Sequence, residues 1–347
     1  MKILPKIIIS LIFIYIFLLS IQSFFFDENN LPHGFTINPP FVEYNLGQRP
    51  SFFTYKNNIF FISSYGLYYF YNDQEHWYFN HHFEQPILTG ESQFIAIWEL
   101  SGRVIYIFNN YGNVFYHHTI GYLLNISINR YGYLAFITEY NNNYEIFGLN
   151  PSGNIIFSTT FSNLNIFPLS LFFNGYILGI SLMNTSHINI KSNVVLFDIN
   201  EGAFGATPME YGIISIIRFV NNKLFIISKT RIVAIDLSLN TIWEKYISID
   251  NAIFGNETLT ILSDKSIIFL RLDGYKLGSY TSSAPITFFG GNSDNIILGS
   301  GRRFVSLNYY GYLWEFISIP EPLGLYILNN PNQMLLKTAI GGHIVSN

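Results

Sequence analysis

The chain has 347 residues, of which 49% are hydrophobic and 18% aromatic, and only 12% are charged, against roughly 25% in ordinary soluble proteins. Its formal net charge of -4 leaves no broad basic surface for nucleic acid, because phosphate binding needs clustered Lys and Arg side chains that release counterions. The absence of cysteine excludes disulfide bonds, cysteine-ligated metals and a thiol nucleophile.

The first predicted element is a membrane anchor at Ile7–Phe26, within a first segment at residues 1–26. This run has no charged residue, and as a helix it would cross the ~30 Å hydrocarbon core of a bilayer. Lys2 and Lys6 precede it, so the positive-inside tendency places the N-terminus in the cytoplasm and the remaining chain on the extracytoplasmic side of the cell membrane. The alternative is a cleaved signal peptide, which would release a secreted or periplasmic protein, although no A-x-A-like cleavage site follows the run.

Residues 27–40 are predicted to form a linker because they are rich in turn-forming residues. These are Asn29, Asn30, Pro32, Gly34, Pro39 and Pro40. Residues 41–347 consist of short runs of β-branched and aromatic residues between Asn, Gly, Ser and Asp clusters, a pattern typical of strands. This region is therefore predicted to be one all-β domain.

The strand runs recur about every 40 residues. The predicted units are 48–82, 83–120, 121–161, 162–210, 211–248, 249–282 and 283–318. A repeat of this length made only of short strands indicates a β-propeller, in which each repeat folds as one four-stranded antiparallel blade. The unit at 162–210 is the least regular, because it is longer than the others and has Gly205 where they have a bulky residue.

One turn and one bulky side chain recur at the same place in these units. The turn residues are Gln74, Gly112, Gly153, Asn240, Gly274 and Gly311. Three positions after each turn stand, in the same order, Trp77, Phe115, Ile156, Trp243, Leu277 and Trp314. Because Phe, Ile and Leu replace Trp at this place, the shared property is hydrophobic bulk, which predicts packing between blades rather than stacking on a sugar.

The last stretch, residues 319–347, contains runs for only three strands, at Leu323–Asn329, Gln333–Ala339 and His343–Ser346. The run Phe41–Asn45 precedes the first complete unit and is predicted to supply the missing strand. Pairing the two ends of the chain would close the ring and leave no open sheet edge. The predicted fold is therefore an eight-bladed propeller, with seven blades as the alternative if one unit is miscounted.

The segment Arg231–Tyr246 resembles the repeat of pyrroloquinoline-quinone-like and WD-repeat-like propellers, in which a strand ending Ala-x-Asp leads through a turn to a strand with Trp. Arg303–Phe316 and Val194–Gly202 are weaker copies. The resemblance implies an eight-bladed propeller. Quinone-dependent members hold their cofactor against adjacent cysteines and a calcium ion, so for this cysteine-free chain it implies no cofactor and a place among the non-catalytic, membrane-anchored members.

The predicted function is a membrane-tethered, non-enzymatic interaction or scaffolding module that binds a protein partner on one propeller face. Neither a Gly-x-Ser-x-Gly nucleophile motif nor a phosphate-binding Gly-rich loop occurs. The alternative is a propeller-type enzyme that acts on extracellular glycans or polymers. It would require carboxylates from different blades to converge at the channel mouth.

Two histidine pairs stand at equivalent ends of fourth strands, at His81-His82 and His117-His118. Imidazoles are good ligands for zinc or copper, which makes His82 and His118 candidates for a metal site. Neighbouring residues of a strand point to opposite faces, so each pair can give at most one ligand to a shared site. Ordinary surface histidines are the competing interpretation, and no metal is predicted.

Overall fold

The structure is a computed structural model that describes residues 36–44, 50–112, 115–162, 165–186, 190–207, 212–255, 257–291, 295–301, 303–317, 323–328, 333–339 and 341–346. The predicted anchor at 7–26 lies outside these residues. Within the described ranges, no helix combines the length and the apolar character needed to cross a bilayer. The strands of the described chain form eight four-stranded antiparallel sheets, so the predicted eight-bladed propeller is confirmed.

Strand β1 (Thr36–Glu43) comes first in the chain, and blades 1 to 4 follow it. Blade 1 is β2 (Ser51–Tyr55), β3 (Asn58–Ser63), β4 (Gly66–Tyr71) and β5 (Gln74–Asn80). Blade 2 is β6 (Pro86–Glu91), β7 (Phe94–Glu99), β8 (Val104–Asn109) and β9 (Phe115–His118). Blade 3 is β10 (Tyr122–Ile128), β11 (Leu134–Tyr140), β12 (Asn143–Leu149) and β13 (Ile155–Phe161). Blade 4 is β14 (Ile166–Phe173), β15 (Ile177–Asn184), β16 (Lys191–Asp198) and β17 (Gly202–Ala206).

Blades 5 to 7 repeat the same meander. Blade 5 is β18 (Ile214–Val220), β19 (Lys223–Ser228), β20 (Arg231–Ile235) and β21 (Thr241–Tyr246). Blade 6 is β22 (Asn251–Phe254), β23 (Thr258–Ser263), β24 (Ser266–Arg271) and β25 (Lys276–Thr281). Blade 7 is β26 (Phe288–Gly291), β27 (Ile296–Ser300), β28 (Arg303–Asn308) and β29 (Gly311–Ile317). Blade 8 joins β30 (Gly324–Ile327), β31 (Gln333–Lys337) and β32 (Gly341–Ser346) to β1.

The middle strands of a blade are buried on both faces because each blade packs against a neighbour on either side. In blade 1 every residue of Asn58–Ser63 is buried, whereas five of the seven residues of the outer strand Gln74–Asn80 are exposed. Strands covered on both faces read as continuous apolar runs rather than as an alternation. This arrangement explains how a chain with so few charged residues forms the fold.

The core is divided among eight clusters of buried residues, and each cluster lies between two neighbouring blades. Between blades 1 and 2, for example, Phe60 and Ile62 pack with Ile95 and Ile97. Between blades 7 and 8, Phe304 packs in the same way with residues of the last blade. The fold is therefore stabilised by a ring of seams, and each blade depends on two neighbours.

Ring closure follows the prediction, because β1 pairs antiparallel with β32 as the fourth strand of blade 8. The strand begins at Thr36, however, and so includes Pro39 and Pro40 of the predicted linker. Proline is tolerated there because β1 is the outer edge of its sheet, and the register shifts on either side of Pro40. Of the predicted run Phe41–Asn45, the strand contains residues 41–43, and residue 45 lies outside the described residues.

Tyr44, the residue that directly follows β1, stabilises this closure of the ring. Its hydroxyl lies 3.0 Å from the carbonyl oxygens of Thr338 and Gly341, to which it donates, and its ring stacks on Phe61 of blade 1 with centroids 5.4 Å apart. The side chain thus joins the last blade to the first, and its burial raises the pKa of the hydroxyl. Gly341 is needed beside it, because a Cβ there would lie 2.7 Å from the Val42 carbonyl oxygen.

Candidate functional site

Three of the recurring bulky residues lie in the seams against a turn of the next blade. Trp77 of blade 1 packs on Gly112 of blade 2, and its indole N–H donates to the Asn110 carbonyl at 3.3 Å. Trp243 of blade 5 packs on Gly274 of blade 6 in the same manner. Its N–H donates to the Leu272 carbonyl at 3.0 Å. Phe115 of blade 2 contacts Gly153 of blade 3 without a hydrogen bond.

Ile156 and Leu277 do not hold the place of Trp77 in their strands, because each falls in a register shift, one residue before the residue that pairs with Gly148 or Phe269. Ile156 and Leu277 are half-buried in the clusters that their blades share with the next blade. Gly311 begins β29 with φ of 135°, in the region that favours glycine. The side chain of Trp314 lies outside what the structure describes. The described residues at these repeat positions help to set how neighbouring blades pack, and they do not form one common site.

The irregular blade 4 keeps its seam by exchanging the two partners. Leu239 of the blade 5 turn takes the place that glycine has in other turns, with φ of 63°. Its amide donates to the Asp236 carbonyl, as Gly112 donates to that of Asn109. Gly205 makes room for it, because a Cβ there would lie 2.4 Å from the Leu239 Cδ1 atom. The bulky side chain therefore comes from the turn, and the glycine from the strand.

The histidine pairs divide between seam and surface. His81 contacts Tyr106 of blade 2, with its Nε2 atom 3.1 Å from the tyrosine hydroxyl, and His117 packs against Phe136 of blade 3. Burial lowers the pKa of His117, with a smaller effect from His118. His82 and His118 are exposed. Among the described residues, no three His, Cys, Asp or Glu side chains are grouped so that they could hold a metal ion.

The propeller has two faces that differ in their connections. We define the turn face as the end of the propeller that carries the turns between first and second strands and between third and fourth strands. The opposite end is the loop face. First strands line the axis. Where they reach the turn face, Glu91 of blade 2 pairs with Arg130 of blade 3 at 4.0 Å and with Arg218 of blade 5 at 3.6 Å. Among the described residues, the Glu91 carboxylate at this channel mouth is therefore balanced by two guanidinium groups.

The loop face carries an exposed apolar patch on blades 2 and 3. We define the loop-face patch as the four residues Leu100, Arg103, Ile120 and Tyr122. Leu100, Ile120 and Tyr122 are all exposed, and Ile120 most strongly, at 68%. Monomeric proteins expose few contiguous apolar surfaces, and those present often mark interaction sites. Aromatic residues and Arg are also the types enriched at protein interfaces.

Backbone hydrogen bonds hold the two segments of the loop-face patch side by side. The Thr119 amide donates to the Arg103 carbonyl at 2.8 Å, and the Leu123 amide to the Gly102 carbonyl at 2.9 Å. The Arg103 guanidinium lies 4.6 Å from the centre of the Tyr122 ring, in cation–π contact. The patch is therefore preorganised, which reduces the entropy that binding would cost.

Two of the cavities that the described residues line lie in seams and are smaller than the roughly 300–1,000 Å³ of typical ligand pockets. One, of 180 Å³ between blades 8 and 1, is lined by Asn57, Asn72, Asp73 and Gln333 among others. The other, of 100 Å³, lies between blades 6 and 7 beside Arg303. Both suit ordered water better than an organic cofactor, so the extended loop-face patch is the stronger candidate site.

Comparisons with known proteins identify the architecture. The model of a family of unknown function (DUF5711) matches residues 43–311. No curated protein matches the sequence. The structure resembles BamB from Moraxella catarrhalis with a TM-score of 0.56 and 14% identity, over 89% of this chain and 99% of that one. A form of KlHsv2 with loop 6CD replaced by a Gly-Ser linker gives a TM-score of 0.53 and 10% identity, over 73% of this chain and 88% of that one. At such identities, the likeness concerns the fold alone.

Proposed function

The chain belongs to the DUF5711 family, whose function is unknown, and we propose that it is a membrane-tethered, extracytoplasmic, non-enzymatic module that binds a protein partner at the loop-face patch. The observation that carries the proposal is the exposed, preorganised cluster of aliphatic, tyrosine and arginine side chains on blades 2 and 3. A large apolar side chain that stays exposed gains from burial only when a partner covers it. The ion pairs of Glu91 at the channel mouth give the glycan-cleaving alternative no support.

The tether is part of the proposal and is supported by the sequence. The uncharged run Ile7–Phe26 is preceded by Lys2 and Lys6, and β1 begins ten residues after it, at Thr36. A retained anchor would place the propeller at the extracytoplasmic surface of the cell membrane. Recovery of the full-length chain in the soluble fraction after cell disruption would count against this part.

The experiment compares three full-length proteins in membranes: the unchanged chain, Ile120→Asp and Ile155→Asp. Ile155 is a matched control because it is also an exposed isoleucine, at 51%, but lies on the outer strand of blade 3 next to the turn face. After mild cross-linking, a partner should be captured by the unchanged chain and by Ile155→Asp, and lost with Ile120→Asp. Equal capture by all three proteins would overturn the assignment of the patch.

A further inference from the structure

The direction of β1 fixes the face at which the chain enters the propeller. In every blade the first strand runs toward the turn face, so the fourth strand runs from the turn face to the loop face. β1 occupies the fourth position of blade 8 and is antiparallel to β32, with Thr36 opposite Ser346 and Glu43 opposite Gly341. Thr36 therefore lies at the rim of the turn face, and Tyr44 lies at the loop face.

The length of chain before β1 limits how far this rim can stand from a bilayer. Residues 27–35 separate the predicted anchor from Thr36. Nine residues span at most about 32 Å when fully extended. The loop face lies farther away by the length of β1, whose 8 residues extend about 26 Å. With the anchor retained, as the proposed function assumes, the turn face is the one held near the membrane.

Tyrosines project from the turn face at one repeated position. In five turns an Asn or Asp side chain accepts the backbone N–H two residues later, at 2.8–3.1 Å, and that later residue is tyrosine. The five are Tyr111, Tyr131, Tyr176, Tyr275 and Tyr310, each of which is 64–77% exposed. The same turn forms at Asn150 with Ser152 in this place, at 3.0 Å. The turn itself therefore does not require an aromatic ring.

The two faces expose different apolar side chains. Both faces expose tyrosines, and the loop face has Tyr65, Tyr122, Tyr140 and Tyr246; the difference lies in the aliphatic residues, since the described turns of the turn face expose only Leu237, whereas the loop face exposes Leu100, Ile120 and Ile213. Tyrosine is enriched at membrane–water interfaces, because its ring enters the apolar boundary while its hydroxyl stays among headgroups and water.

From the entry point of the chain, the short linker and the tyrosine turns, we infer that the turn face lies against the bilayer that holds the anchor, with the tyrosine rings among the lipid headgroups. The charges near these turns have both signs, with Arg130 and Lys56 near the axis and Asp73 and Asp198 farther out. The contact should therefore form on phosphatidylcholine alone and need no anionic lipid. The loop-face patch then points away from the membrane, where a partner can reach it.

The absence of cysteine from the chain permits a direct test with single-cysteine variants. The full-length protein is reconstituted in phosphatidylcholine vesicles that contain a lipid with a quencher on its headgroup, and one exposed position is labelled with a fluorophore. Tyr111→Cys on the turn face is matched with Tyr246→Cys on the loop face, since their exposures are 77% and 76%. We expect quenching at position 111 and none at position 246. Equal quenching, quenching at 246 alone, or none at either position would overturn the inference.

A second measurement distinguishes the contribution of the tyrosines to the membrane contact from that of the tether. The label is placed at Ser152→Cys, which lies in a turn of the same face, and the five tyrosines are replaced together by serine. Quenching at position 152 should be lost in the quintuple variant, and unchanged quenching would show that the linker alone holds the face to the lipid. Partner capture at the loop-face patch is read separately, so orientation and partner binding can fail independently.

Discussion

Gly112, Gly153 and Gly274 occupy equivalent turns and offer a test of what holds one blade against the next. Their φ angles are 77°, 83° and 88°, so alanine at each position should carry a similar conformational cost of about 1–2 kcal/mol. The three substitutions are thus matched in their backbone effect, and any further difference in stability must come from their surroundings.

The three glycines differ in the space that is available for a Cβ atom. A Cβ at Gly112 would lie 3.5 Å from the neighbouring tryptophan ring, which is ordinary contact, whereas at Gly153 it would lie 2.7 Å from Phe115 and at Gly274 2.8 Å from a tryptophan. Overpacking of this kind costs a further ~1–3 kcal/mol. We therefore expect losses in the free energy of unfolding of about 1–2 kcal/mol for Gly112→Ala and about 2–5 kcal/mol for Gly153→Ala and Gly274→Ala.

The assay is urea denaturation of the full-length protein in detergent, followed by far-ultraviolet circular dichroism. Adding Phe115→Leu to Gly153→Ala should restore part of the lost stability, because a smaller side chain makes room for the new methyl group, and a double-mutant cycle isolates this term. Equal losses for all three glycine variants would refute the reasoning, since the backbone angle alone would then explain the glycines.

Three further predictions concern closure, pH and the channel mouth. Tyr44→Phe removes a buried hydroxyl donor that is shared between two carbonyl oxygens and should lower the free energy of unfolding by about 1–2 kcal/mol, whereas Tyr78→Phe removes an exposed donor that is likewise shared between two acceptors and should have a much smaller effect in the same urea titration. Because burial lowers the pKa of His117, the unfolded chain binds its proton more readily; stability should fall as the pH drops below about 6.5, and thermal melts of His117→Gln should show a weaker fall. Glu91→Gln should cost at most about 1 kcal/mol, because Arg218 is partly exposed, and about 1 M salt should remove the difference.

The sequence predicts the blades well because their turns repeat. The four strands of each predicted unit lie within its bounds, and even 162–210 keeps four strands despite the loss of its bulky residue. The exchange between Gly205 and Leu239 could not be predicted, since it depends on which residues of two blades face each other. The sequence predicts the first strand from Phe41, whereas β1 begins at Thr36, because the prolines at 39 and 40 are typical of a linker and a sequence does not show that its strand is an outer edge.

The candidate sites were harder to predict than the fold. Periodicity shows which blades are neighbours, but it does not show that Glu91 reaches Arg218 on the opposite side of the axis. One signal was present, because Arg218 is the single charged residue in the apolar run Ile214–Val220. The tyrosine turns also have a sequence pattern that can be recognised, in which tyrosine stands two residues after Asn or Asp. The loop-face patch has no sequence pattern of this kind, because its two segments meet only through the packing of blade 2 on blade 3.

Closure by β1 also determines when the ring can be completed during synthesis. The Tyr44 hydroxyl contacts Gly341, which follows it by 297 positions, so the strand made first must wait for the strand made last. During that interval β1 has no partner strand, and an unpaired strand edge is prone to pair with other chains. Long-range pairing of this kind also slows folding. A chain with an early stop codon before residue 341 would build most of its blades and still lack the partner of its first strand.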